Sequence, residues 1–196
     1  MVDPGLPDWR LLLDRLHATF RAASFAGAGA FVQRVAESVG GDVDVDLRPP
    51  GTVHVAVPMS DAAAAEAIAA LAADGGLTSA ALAASTVEVA IDALDMAAVK
   101  PFWKAVLGYV DDGELAIAHP DRVGPPFWFQ QMDEPRHQRN RLHVDVTVPH
   151  DVAESRVAAA LAAGGTLVSD RFARSFWVLA DAEGNEACVC TWQDRG

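Results

Sequence analysis

Two short segments carry the side chains best suited to chemistry. Val87-Glu88-Val89-Ala90-Ile91-Asp92 and Leu142-His143-Val144-Asp145-Val146-Thr147 match apolar for apolar and polar for polar, with Ala90 against Asp145 as the mismatch. Period-two alternation predicts a half-buried strand in each. The apolar series Val87, Val89, Ile91 and Leu142, Val144, Val146 then packs inward, and Glu88, Ala90, Asp92 with His143, Asp145, Thr147 share the opposite face. Glu88 and His143 occupy equivalent places in the two strands. A carboxylate and an imidazole meeting this way can work as acid and base, hold a hard or borderline divalent ion, or simply hydrogen-bond each other.

Other reactive groups are few. Cys188 and Cys190 stand two apart on a predicted strand, where their Cα atoms lie about 7 Å apart along one face, and free thiols in a reducing compartment are expected. Cys188 with His143 would make a nucleophile and base, but nothing around it in sequence stabilises a thiolate. The chain has no Gly-x-Ser-x-Gly elbow, phosphate-cradling glycine loop, Cys-x-x-Cys or His-Glu-x-x-His. Serine hydrolase, kinase and dinucleotide-dependent activities are set aside on that ground. Trp128 shares a strand face with Gln130, whereas Phe127 and Phe129 share the other. Trp177 and Trp192 are placed to close a pocket over a planar ligand.

These residues need elements to position them. After the first matching strand comes Asp95 as N-cap, then Val99, Phe102, Trp103, Val106 and Leu107 at helical spacing, ending at Gly108. Pro101 suggests a kink, or a helix that starts near Ala98. After the second strand come Asp151, Val157 and Leu161, ending at Gly164-Gly165. Each helix is followed by three short extended pieces separated by turn residues, among them Asp111-Asp112-Gly113, Gly124-Pro125-Pro126 and Asp181-Ala182-Glu183-Gly184-Asn185. The unit is βαβββ, present twice, and the two copies are expected to share one concave sheet.

The preceding segment has no counterpart in this repeat. Asp8 to Leu13 reads as helical, Leu16 to Arg21 as a strand and Phe25 to Val39 as a helix stopped by Gly40-Gly41. Val43 to Leu47 and Val53 to Val57 form a hairpin, and Ser60 caps an alanine-rich helix reaching Ala73. The chain is thus an α+β protein of two domains, residues 1–85 and 86–196.

Two family resemblances follow. Asp95 through Phe102-Trp103 to Leu107-Gly108, Asn140-Arg141-Leu142-His143-Val144-Asp145 and Ala180-Asp181-Ala182-Glu183-Gly184-Asn185-Glu186 resemble the vicinal oxygen chelate superfamily, built from paired βαβββ modules, and within it the glyoxalase-like branch. The resemblance implies a cup lined by the polar strand faces. Metal-dependent members take ligands from the first and last strand of each module, commonly two histidines and two glutamates. Carried over position by position, Glu88 replaces a histidine, Gln130 or a neighbour replaces a glutamate, His143 is retained and Cys188 replaces the second glutamate. The implied metal set is Glu88, His143 and Cys188, with Gln130, Asp145, Trp128, Trp177 and Cys188 lining the ligand. Glu88 would act as base and His143 as ligand or polariser, in lyase, isomerase or dioxygenase-type chemistry on a vicinal oxygen or carbonyl compound. The rival expectation is a resistance-type protein that sequesters a drug or metabolite without turnover.

Residues 8–85 resemble a degenerate pterin-4a-carbinolamine dehydratase, with Phe25 to Phe31 opening its helix and Gly76-Leu77-Thr78 near its end. Gly40-Gly41-Asp42 stands where that family has His-His-Pro, and Ala81 where it usually has an aspartate. The nearby histidines are His17 and His54. A structural or dimerising role is implied, with residual dehydration as the alternative.

Composition narrows the partners. The chain has 196 residues, 51% hydrophobic and 21% charged, enough for one sizeable core or two small ones. Its 15 basic and 27 acidic side chains give a formal charge of -12, which repels phosphate backbones and anionic lipid heads. No apolar stretch approaches the roughly 20 residues that span a bilayer, and the start lacks signal-peptide character. The expected partner is a small organic molecule rather than nucleic acid or membrane, the expected location cytoplasmic and, by resemblance, the expected assembly a homodimer.

Overall fold

The computed structural model describes residues 5–135 and 142–194. The chain forms two compact units, Met1–Thr86 and Val87–Gly196. No helix among the described residues is long and apolar enough to cross a membrane.

In the first unit, β1 (Trp9–Leu12), β2 (Arg15–Arg21), β3 (Asp44–Arg48) and β4 (Thr52–Pro58) form an antiparallel sheet in the order β1-β2-β4-β3, with β5 (Thr78–Ser79) beside β2. Alternation decides its faces: Leu16, Ala18 and Phe20 on β2 and Val53, Val55 and Val57 on β4 are buried. They pack with Phe31 and Val35 of α1 (Phe25–Ser38) and Ile68 of α2 (Ala62–Asp74). The helical reading of Asp8 to Leu13 is corrected. The segment is too short to repay helix nucleation, and it turns at Leu13 (φ 57°) to pair as β1 while Trp9 drops into the core. Asp61, not Ser60, caps α2, its carboxylate accepting from the Ala64 amide.

The second unit contains both modules. One runs β6 (Val89–Ala93), α3 (Met96–Leu107), β7 (Val110–Asp111), β8 (Ala116–Ala118) and β9 (Phe127–Gln131). The other runs β10 (Val144–Thr147), α4 (Ala153–Ala162), β11 (Thr166–Ser169), β12 (Phe176–Ala180) and β13 (Glu186–Cys190). In each, the first strand pairs parallel with the last, giving sheets ordered β6-β9-β8-β7 and β10-β13-β12-β11. These are two separate four-stranded sheets and not one continuous sheet. Val87 and Leu142 fall before their strands, 67% and 87% exposed, so the inward series begins at Val89 and Val144.

One core joins the modules. Val99, Phe102, Trp103 and Val106 from α3 meet Val157 and Ala160 from α4 between the inner strand faces. Helix α3 starts at Met96, capped by Asp95 through the Ala98 amide, and carries Pro101 inside it without the late start that proline suggested. Gly165 lies where any side chain would strike the Phe102 ring. A buried polar knot reinforces the contact: the Asp181 carboxylate accepts from Trp103 Nε1 at 2.9 Å, from the Glu183 and Asn185 amides and from Asn185 Nδ2. From the same turn, Glu183 accepts the Leu94 and Asp95 amides at 2.9 and 2.7 Å, just ahead of α3.

Candidate functional site

The register of the second module selects the residues of the site. Asp145 pairs with Cys188 across β10 and β13, while β12 sets Val178 against Cys188 and Phe176 against Cys190. Paired residues share a face, so Asp145, Phe176, Cys188 and Cys190 look one way, and Val144, Val146, Trp177 and Val189 belong to the core between strands and helices. His143, immediately before β10, joins the first set. Its Nε2 lies 3.3 Å from Asp145 Oδ1.

The donor atoms of His143, Asp145 and Cys188 all lie within 4.8 Å of one another. They line a cavity of about 670 Å³ together with Arg171, Phe172 and Phe176. Phe172 and Phe176 stack at 5.2 Å with 24° between their planes, and the Arg171 guanidinium sits 5.4 Å from the Phe172 centroid. The cavity thus has an aromatic wall, a cation at its edge and nitrogen, oxygen and sulfur donors at its base.

Burial pushes the Cys188 thiol up to about 12, aided by the negative charge of Asp145 and by the thiol's hydrogen bond to that carboxylate. At neutral pH only about one thiol in 10^5 would be ionised, which removes Cys188 as an unassisted nucleophile. Asp145 is therefore the hinge of the group, set beside the imidazole and accepting from the sulfur. Both cysteines are buried and neither is in a disulfide.

The sequence-predicted residues separate. His143, Asp145 and Cys188 come together, but the carboxylate that joins them is Asp145 and not Glu88, which is exposed just before β6. The parallel strands keep each module's first-strand donors beside its own last strand. Gln130 accordingly pairs with Asp92 and lines a second cavity of about 390 Å³ with Gln131, Met132, Asp133 and Glu134. Trp128 is half-buried on the Gln130 face, set against Ala90 and Ala116, and lines neither cavity. Trp177 packs on the core, opposite to its expected role, and Trp192 lies beyond β13, 68% exposed, with its Nε1 3.3 Å from His150 Nδ1. The expected pairing of Asp145 with an arginine of the 136–141 loop lies outside the described residues.

A sequence model of the glyoxalase-like domain matches residues 88–190. The chain belongs to that family. The glyoxalase-like match opens on Glu88 and closes on Cys190, so it takes in both modules and leaves the first unit outside. No curated protein matches the chain. Among solved structures it is similar to a glyoxalase/bleomycin resistance protein/dioxygenase family enzyme from Burkholderia phytofirmans PsJN, with 18% identity, 55% of this chain and 98% of the other covered, and a TM-score of 0.42. It is similar to the fosfomycin resistance protein FosX from Mesorhizobium loti at 10% identity, over 54% and 90% of the two chains, with a TM-score of 0.43. FosX from Listeria monocytogenes, complexed with Mn(II) and 1S,2S-dihydroxypropylphosphonic acid, matches at 9% identity over 55% and 89%, with a TM-score of 0.44.

Phe172, Phe176 and Arg171 line this cavity and were not singled out from the sequence. Phe176 and Trp177 are adjacent aromatics on one strand, and alternation states only that they point opposite ways. Pairing of Phe176 with Cys190 would have assigned the pocket side to Phe176.

Proposed function

We propose that the glyoxalase-like unit binds a small, planar, anionic organic molecule in the His143–Asp145–Cys188 cavity and acts there on a vicinal oxygen or carbonyl group. The observation that carries this reading is the convergence of three different donors within 4.8 Å at the base of an aromatic-walled cavity. Phe172 and Phe176 present a stacked face to the flat part of the ligand, and the Arg171 guanidinium, which makes no ion pair among the described residues, meets its negative charge.

The donor set fits a divalent ion of zinc type, which accepts imidazole, carboxylate and thiolate together and retains an open position. When bound, such an ion supplies Lewis-acid polarisation of a ligand oxygen. His143, Asp145 and Cys188 would hold it, and the thiol must give up its proton to do so. The acid and base role passes in this reading from Glu88 to Asp145, whose carboxylate stands between the imidazole and the sulfur.

A sequestering protein without turnover is the second reading, favoured by the neutral Cys188 thiol and the apolar aromatic wall. Elemental analysis after purification without an affinity metal column separates the two. A stoichiometric divalent ion that is lost in His143→Ala supports the enzyme. Thermal stabilisation by benzoate-like ligands with no product over hours supports the binder. The metal's apparent dissociation constant should fall about tenfold per pH unit as pH rises, because one thiol proton leaves on binding.

For the first unit the pterin dehydratase resemblance supports a structural or dimerising role, since Gly40-Gly41-Asp42 replaces the dehydratase histidines. Binding of a reduced pterin to residues 1–86 at millimolar concentration would reinstate the catalytic reading. Sedimentation of the full chain tests the homodimer.

A further inference from the structure

We propose that the outer face of the first unit's sheet carries a second metal site, in which His17 and His54 chelate a borderline transition-metal ion such as Zn2+, Ni2+ or Cu2+ and Thr19 orients His54. The site lies outside the glyoxalase-like match and uses none of that domain's residues.

Sheet register builds it. Thr19 pairs with His54, and His17 with Ala56, on the face away from α1 and α2, because Leu16, Ala18, Phe20, Val53, Val55 and Val57 take the core side. The two histidines are therefore diagonal neighbours across β2 and β4, and His17 Nδ1 lies 3.0 Å from His54 Nε2. Two nitrogens held at about 2.0–2.1 Å from one ion stand about 2.9 Å apart at a right angle and about 3.4 Å apart in a tetrahedron. That contact is a hydrogen bond between the rings, so an ion replaces the shared proton: the nitrogen separation already suits it, and the two rings turn by about 35–45° to bring their lone pairs onto it.

Thr19 supplies the orientation. Its hydroxyl is 3.0 Å from His54 Nδ1, and the residue is only 5% exposed. With Nδ1–H donated to that hydroxyl, His54 Nε2 accepts from His17 Nδ1; an ion would take that Nε2 lone pair while the His17 proton moves to its own Nε2, and Thr19 keeps His54 in the ligating tautomer. Burial lowers the proton affinity of both rings, so both are neutral near pH 7, as ligands must be. Asp46 is the β3 residue paired with His54, and its negative charge reaches that ring, while Asp44 and Asp14 act on His17 in the same sense. Asp46 is itself paired with Arg48 at 2.9 Å, so the histidines are the protein ligands and water would complete the coordination.

The test uses the full chain purified without a histidine tag, in a His143→Ala/Cys188→Ser background that removes the other donor set, titrated with Cu2+. One ion per chain with nitrogen hyperfine structure in its paramagnetic resonance spectrum is the expected result. His17→Gln and His54→Gln should abolish this binding while far-UV circular dichroism stays unchanged, Thr19→Val should weaken it about 10- to 100-fold, and His150→Ala should leave it intact. Absence of binding in the parent, or full binding retained by either glutamine variant, overturns the proposal. Co2+ added to the otherwise unaltered chain distinguishes the two sites, since only the Cys188 site can give a thiolate-to-metal charge-transfer band.

Discussion

At the scale of single residues, Cys188 shows how a neighbour decides chemistry. A lone thiol on a strand is an ordinary small hydrophobe, but burial, and after it the carboxylate of Asp145 directly across the ladder, make this one a hydrogen-bond donor that resists ionisation. The folded thiol titrates near 12 and the unfolded one near its ordinary value of about 8.5, so the folded state keeps a proton that the unfolded state loses. Stability is then fully present below about pH 8.5 and declines as pH rises toward 12, by up to about 1.4 kcal/mol per pH unit from this one group. Urea unfolding of Cys188→Ala beside the unaltered chain should show a shallower alkaline decline for the variant. The face on which His143 lies was legible because the repeat placed it. The partner of His143 was not, since Glu88 and Asp145 are both carboxylates on the right strand face, and the parallel pairing of β10 with β13 chose between them.

Elements depend on a few polar contacts that no periodicity announces. The Asp181 carboxylate is 3% exposed and collects four donors, one of them the Trp103 indole on the other module's helix. Asp181→Ala would leave that buried indole unpaired and untie the turn, and should lower stability by about 2–4 kcal/mol, read from the urea midpoint at constant m-value. Asp181→Asn keeps the shape while losing the charge and should cost less. In the first unit the sign of the pH effect reverses. Burial depresses the proton affinity of His17 and His54, so the unfolded chain takes up protons below about pH 6.5 that the folded sheet refuses. Their contribution is present above that pH and is lost below it, and the midpoint should fall between pH 7 and 5 less steeply in His17→Gln/His54→Gln than in the unaltered chain. The turn at Asp181 was legible as a turn, but its grip on Trp103, 78 positions away, was not.

Across the whole molecule, the two buried clusters each draw on one unit alone, residues 9–72 in the first and 91–189 in the second. Each unit therefore has the apolar interior that independent folding requires. Residues 87–196 expressed by themselves should unfold cooperatively and keep the near-ultraviolet circular dichroism of the packed Trp103. A broad, featureless transition would show that the second unit depends on the first.

The amino-acid sequence alone determined the two βαβββ modules, the helix stripes that fill their core and the strand face on which polar groups gather. Those features repeat every two or every 3.6 residues, and a local period survives whatever the chain does elsewhere. Tertiary structure alone decided which carboxylate meets His143, whether Phe176 or Trp177 faces the cavity, and that two histidines 37 positions apart share a nitrogen-to-nitrogen distance of 3.0 Å. Each of these depends on register between strands distant in sequence, and a slip of one residue exchanges the two faces.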